Sequence, residues 1–122
     1  MNIEKLEQAI TDCKSTLKDG LLAADIFERK SGLSLAGFNT QPVAVALFTQ
    51  VMDYLESTLK ESAFPPLDKY FLLDMKNGHV VVVINHGELL QGMLLNSRVN
   101  LGITISVVIP RALKIVAEAI AE

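Results

Sequence analysis

Between residues 40 and 61 this chain carries a helix whose apolar arc is too wide for one buried face. At about 100° per residue, Val43, Tyr54, Leu47, Val51, Ala44, Leu55, Phe48, Leu59, Met52 and Val45 sweep roughly 200° of its circumference. Thr49, Asp53, Glu56, Ser57, Lys60 and Gln50 fill the polar remainder. A helix lying on a single core needs a stripe only somewhat wider than about 100°. The excess therefore asks for a second apolar neighbour, and in so small a chain another copy of itself is the simplest one.

Composition supports this reading. The chain of 122 residues suits one domain, residues 1–122, large enough to bury a core without disulfides or a structural metal. Half the residues are hydrophobic, 20% are charged and mean hydropathy is +0.35, an apolar balance that places some of the surplus in an interface. A net charge of −3, with eleven scattered basic residues, argues against nucleic-acid binding. The lone Cys13 has no internal disulfide partner, so a reducing, cytoplasmic setting is expected. Glu4, Lys5 and Glu7 interrupt any signal-peptide run, and Gly32, Gly37, Asn39, Gln41 and Pro42 break the uncharged stretch 31–52, so no membrane insertion is expected.

Along the chain, Ile3, Leu6, Ile10, Cys13 and Leu17 recur at spacings of three and four, which predicts an amphipathic helix over 2–17 with Cys13 as a small core residue. Residues 21–28 read as a strand, 29–32 as a turn and 33–38 as its hairpin partner. Thr40 is then the expected cap of the central helix, with Pro42 in its first turn and Pro65-Pro66 forbidding continuation.

Lys76-Asn77-Gly78-His79 is the clearest local signal, because Asn-Gly is the preferred two-residue type I′ hairpin loop. It joins a strand over 69–76 to one over 79–85, whose Val80-Val81-Val82-Val83-Ile84 is apolar on both faces and hence central in a sheet. His86-Gly87 turns the chain into a third strand over 88–96, completing an antiparallel meander. In the last segment Ile103, Ile105 and Val107 alternate as a strand would, but helical spacing accounts for more residues through to Ile120. A helix then needs Pro110 in its first turns or at a kink, with Thr104 or Ser106 as its cap.

No catalytic signature is present: there is no Gly-rich nucleotide loop, zinc-binding H-E-x-x-H or nucleophile elbow, and no catalytic, cofactor or metal residue is assigned. His79 and His86 end one strand, more than about 20 Å apart, and read as turn residues. Asp25 and Asp74 are the only carboxylates inside predicted strands, the best places for a perturbed group, but nothing in the spacing pairs them. Arg98, between Asn96 and Asn100, reads as part of a hydrogen-bonded loop before the last helix.

The order helix, two strands, helix, three strands, helix resembles the Roadblock and dynein-light-chain family across essentially the whole chain. The stretches DGLLAADIFERKSGLSLAG (19–37), YFLLDMKNGHVVVVINHGELLQGMLL (70–95) and VNLGI (99–103) carry the likeness, while Lys30-Ser31 stands where many members have an acidic residue and Pro110 is unusual in the last helix. A longin domain would begin with a strand instead. The resemblance implies an α+β fold: a profilin-like five-stranded antiparallel sheet in order 2-1-5-4-3, with the first and last helices on one face and the central helix on the other. It also implies a non-enzymatic, bacterial or archaeal regulator or scaffold that binds a small Ras-like GTPase. The alternative is a profilin-like small-molecule sensor domain.

Under that strand order the strand over 69–75 lies at the sheet edge, where an unpaired apolar strand is an aggregation hazard. A homodimer that pairs this edge with its twofold mate forms a ten-stranded sheet and lays two central helices side by side. The expected interface is Val43, Leu47, Val51, Tyr54, Tyr70, Leu72 and Asp74. Thr49, Asp53, Glu56, Ser57 and Lys60 then form a composite polar surface for the GTPase partner.

Overall fold

A computed structural model describes residues 1–122 as a five-stranded antiparallel sheet in the order β2-β1-β5-β4-β3, as the resemblance implied. The strands are β1 (Leu21–Glu28), β2 (Ser34–Phe38), β3 (Tyr70–Asp74), β4 (Val80–Asn85) and β5 (Leu89–Leu95). Helix α1 (Ile3–Leu17) precedes the sheet, and α2 (Pro42–Lys60) follows the first hairpin. The C-terminal helix comprises a short α3 (Leu101–Ile103), a π-helical segment Thr104–Val108 and α4 (Ile109–Ala121).

Strand alternation sends successive side chains to opposite faces and so divides the molecule into two cores. Ala24, Ile26, Val82, Ile84 and Met93 meet α1 and the C-terminal helix, with Cys13 fully buried among them. Phe27, Phe71, Val81, Val83 and Leu90 meet Val45, Phe48 and Met52 of α2. Burying each of those three α2 side chains contributes roughly 1.5–3 kcal/mol. Gly92 is required here, because a Cβ on it would come within 2.2 Å of the Phe48 ring.

The Asn-Gly turn forms, but in a loop one residue longer than the two expected: Asp74 pairs with Val80 and the Met75 N–H donates to the His79 carbonyl at 2.8 Å, which leaves Lys76, Asn77 and Gly78 between the strands. Asn77 (φ 64°) and Gly78 (φ 74°) both take the left-handed conformation that a type I′ turn demands.

Two helix starts differ from the sequence expectation. Thr40 does not cap α2: Gln41 is the N-cap without a side-chain bond, because Pro42 occupies the first helical position and holds the preceding residue extended. Neither Thr104 nor Ser106 caps the C-terminal helix, since the Asn100 side chain accepts from the Ile103 N–H at 3.1 Å. Thr104 and Ser106 lie inside, their hydroxyls donating to the carbonyls of Asn100 (3.0 Å) and Gly102 (2.6 Å), four residues back. Pro110 has no N–H for the Ser106 carbonyl, and its ring would strike that carbonyl in a regular α-turn. The helix widens instead, and the Ile109 N–H reaches the Thr104 carbonyl five residues back. Pro110 thus sits in the first turn of α4, directly after a π segment that takes the place of a kink in the continuous C-terminal helix.

Candidate functional site

Helix α2 shows two surfaces beyond the one that meets the sheet. Val43, Leu47 and Tyr54 are 83%, 52% and 71% exposed, although all are large and apolar. At 100° per residue their mean direction lies roughly 150° from the buried Val45, Phe48 and Met52, so the sheet cannot reach them. Val51 is half-buried between the two groups. Beside α2, strand β3 bonds only to β4 and leaves its other edge open.

The β3 side chains divide between faces. Tyr70 and Leu72 are half-buried and pack toward the α1 core, Phe71 packs toward α2, and Asp74 is exposed at the strand end. The apolar β3 residues left open are Leu73 and, just beyond the strand, Met75. An interface with α2 would therefore meet Leu73 and Met75 by their side chains, and Tyr70 and Leu72 through their backbone edge.

The polar flank of α2 is already organised from within the chain. Arg29, immediately after β1, donates from Nη2 to Asp53 Oδ1 at 2.6 Å and also binds both carboxylate oxygens of Glu56. Its side chain is half-buried, and the Glu56 hydrogen bond leads in holding its pKa above the ordinary value. The Arg29 N–H donates to the Glu88 carbonyl at 2.9 Å, tying the clamp to the turn before β5. Thr49 turns its hydroxyl back to the Val45 carbonyl at 3.0 Å. Ser57 and Lys60 are exposed. Of the five expected ridge residues, two are thus held by a cation that sequence reasoning missed. Its trace was the pair of acids three residues apart on one helical face, which repel unless a cation lies between them.

The remaining candidates separate. Asp25 and Asp74 are three strand spacings apart, roughly 14 Å across the sheet, and a further three residues, roughly 10 Å, out of register along it. Asp25 is buried, accepts from Ser34 Oγ at 2.5 Å through Oδ1 and leaves Oδ2 without a partner. Burial holds its carboxyl above the ordinary range, with the Ser34 hydrogen bond opposing. His86 Nε2–H donates to Gln91 Oε1 at 2.9 Å, and burial lowers its pKa. Gln91 is itself buried and donates to Cys13 Sγ at 3.6 Å. Burial raises the Cys13 thiol to about 11, so it is not a nucleophile near neutral pH. Asn96 binds the Asp19 carbonyl (3.0 Å) and accepts from the Arg98 N–H (2.9 Å), so that loop is held by ordinary hydrogen bonds. No helix is long and apolar enough to cross a membrane.

No family model matches the sequence, and no curated protein does. Solved structures do match. Myxococcus xanthus MglB superposes with a TM-score of 0.82 at 8% identity, over 98% of this chain and 90% of that one. An MglB solved in a tetrameric arrangement gives 0.76 at 16% identity, over 96% and 91%. A Roadblock/LC7 domain from Streptomyces avermitilis gives 0.71 at 9% identity, over 95% and 98%. Identities this low speak for the fold and leave activity to the site. With its strand order, its helices on both faces and its match to these bacterial domains along nearly its whole length, the chain has the profilin-like fold of the Roadblock/LC7 domains.

Proposed function

We propose that this chain is a non-enzymatic, homodimeric regulator or scaffold that binds a small Ras-like GTPase. The observation that carries the reading is the apolar stripe of Val43, Leu47 and Tyr54 facing away from the protomer's own core, beside the open edge of β3. A second copy related by a twofold axis covers both: β3 pairs with its mate, and the two α2 helices lie side by side. The Roadblock/LC7 fold supports this assembly through the family resemblance. Two ridges carrying Thr49, Asp53, Glu56, Ser57 and Lys60 then flank the helix pair and form a mixed-charge surface suited to a reversible partner. A Ras-like GTPase orders its switch regions around the γ-phosphate, so its docking there is nucleotide-dependent.

The test has two arms. Sedimentation at micromolar concentration is expected to give a dimer; a monomer overturns the assembly. Each small Ras-like GTPase encoded in the same genome, loaded with GDP or a non-hydrolysable GTP analogue, is then titrated against the protein. One of them is expected to bind with at least tenfold preference for one nucleotide state, and Ser57→Glu with Lys60→Glu to weaken it at least tenfold. These positions are chosen because changing Asp53 and Glu56 would break the Arg29 clamp as well as the ridge. Absence of binding by every GTPase, or full binding by the double variant, overturns the docking surface.

A further inference from the structure

Strand β1 carries a carboxylate where its neighbours are apolar. Asp25 is 5% exposed, and its Oδ2 is the one buried side-chain polar atom of the chain that lacks a hydrogen-bond partner. The cation nearest along the chain, Arg29, is committed to Asp53 and Glu56. The fold therefore leaves this acid with an unmet need for a donor, at a position where the first turn of α2 passes over the sheet.

Open space lies on both sides of that crossing. One side is an apolar cavity of about 230 Å³ walled by Ala23, Ala44, Phe48, Val81 and Leu94, and lined also by Leu47 and Met75, two residues of the proposed dimer contact. The other is a polar groove of about 540 Å³ that includes Lys30, Ser34 and Gln50. Asp25, Thr40 and Val45 border both spaces, so the carboxylate stands at their junction. Two glycines let neighbours close in around the junction: a Cβ on Gly92 would strike the Phe48 ring, and one on Gly37 would strike Thr40 at 2.2 Å and the Ala24 carbonyl at 2.9 Å.

We propose that this junction binds a short, unbranched apolar chain ending in a protonated amine, with the tail in the cavity and the ammonium on Asp25. An ammonium neutralises the buried charge and supplies the missing donor, whereas a hydroxyl supplies the donor alone. The cavity holds the volume of roughly seven or eight waters at ~30 Å³ each. That suits a five- or six-carbon chain and falls short of the roughly 300 Å³ at which pockets for larger ligands begin. Thr40, which lines both spaces, is exposed and free to turn without moving a strand. A free alkylamine or a lysine side chain of another protein presents the same chemistry.

The test is a titration of ¹⁵N-labelled protein, followed by amide shifts and thermal melting, with n-pentylamine, 1-pentanol, pentanoate and Nα-acetyl-lysine N-methylamide. Pentylamine is expected to shift the amides of Ala23, Gly92 and Leu94, and to bind at least tenfold more tightly than pentanol, with pentanoate weaker still. The affinity ratio of pentylamine to the lysine derivative tells a free amine from a lysine side chain. Asp25→Asn keeps the acceptor for Ser34 and is expected to abolish the preference for the amine. Ala44→Leu fills the cavity and is expected to weaken amine and alcohol alike at least tenfold. Equal binding of amine and alcohol by the native protein overturns the proposal. So does amine binding that survives undiminished in Asp25→Asn or Ala44→Leu. None of these readouts involves a GTPase, so failure here is distinct from failure of the regulatory reading.

Discussion

At the scale of the single residue, Asp25 and Arg29 carry charges inward from opposite needs. Asp25 lacks a donor on Oδ2, and its carboxyl is held above its ordinary value of 3.8 by burial. The folded protein thus binds that proton more tightly than the unfolded chain. The associated stability is present below the unfolded pKa and is lost as pH rises through the folded one. Asp25→Asn is expected to exceed the native protein by about 1 kcal/mol at pH 8, the scale of an unsatisfied buried group. The advantage should fade toward pH 4, as read by urea unfolding at both pH values. His86 titrates with the opposite sign but is common to both proteins and cancels. Arg29 instead has more partners than it needs. Because Asp53 is 60% exposed, Arg29→Ala is expected to cost only about 1 kcal/mol, less in 1 M salt than at low salt. Arg29→Lys should recover only part of this in thermal melts, since an ammonium lacks the planar fork that meets both oxygens of Glu56. The sequence showed Asp53 and Glu56 on one ridge. It could not show their cation, which lies 24 and 27 positions away and arrives only through the packing of the β1–β2 hairpin against α2.

At the scale of the element, local rules decided most of what formed and were overruled at helix ends. The β3–β4 turn needs a left-handed residue at position 77, which Asn tolerates better than most residues with a Cβ because its short polar side chain can hydrogen-bond locally. Asn77→Ala is expected to destabilise the protein by about 1 kcal/mol, and Asn77→Gly to be nearly neutral, in the same denaturation assay. The start of α2 followed the backbone restriction imposed by Pro42 rather than the capping preference of Thr40. Pro110 called for a break in the last helix, and the chain answered with a π segment that keeps Thr104 and Val108 buried on one side and Ile109 and Ala112 on the same core. Periodicity predicts a helix there. The extra residue in one turn is invisible to it, because its position is set by which side chains the sheet can accept.

At the scale of the whole molecule, the division of apolar residues between protomer core and interface governs how substitutions behave. Val43, Leu47 and Tyr54 are exposed in the protomer, so charging them leaves folding nearly untouched. Leu47→Asp is therefore expected to give a folded monomer, with dimer affinity lowered at least tenfold and a melting curve that loses its concentration dependence. Leu72→Lys strikes a side chain packed on the α1 core and should instead yield poorly folded protein by circular dichroism. If Leu47→Asp remains a dimer, the apolar stripe of α2 is not the contact.

From the sequence by itself come the element types, the Asn-Gly hairpin, the buried strand Val80–Ile84 and the surplus apolar arc of α2, because each depends on spacing within one segment. Strand order came only as what the family resemblance implied. What only the tertiary structure decided is which long-range neighbours meet: Arg29 with Asp53 and Glu56, Gln91 with Cys13, and Asp25 with nothing on its second oxygen. Hydrophobic periodicity is a one-dimensional signal that says a side chain turns inward. Whether a buried polar group finds its partner depends on the register and packing of segments far apart in the chain, and those are set only when the sheet is assembled.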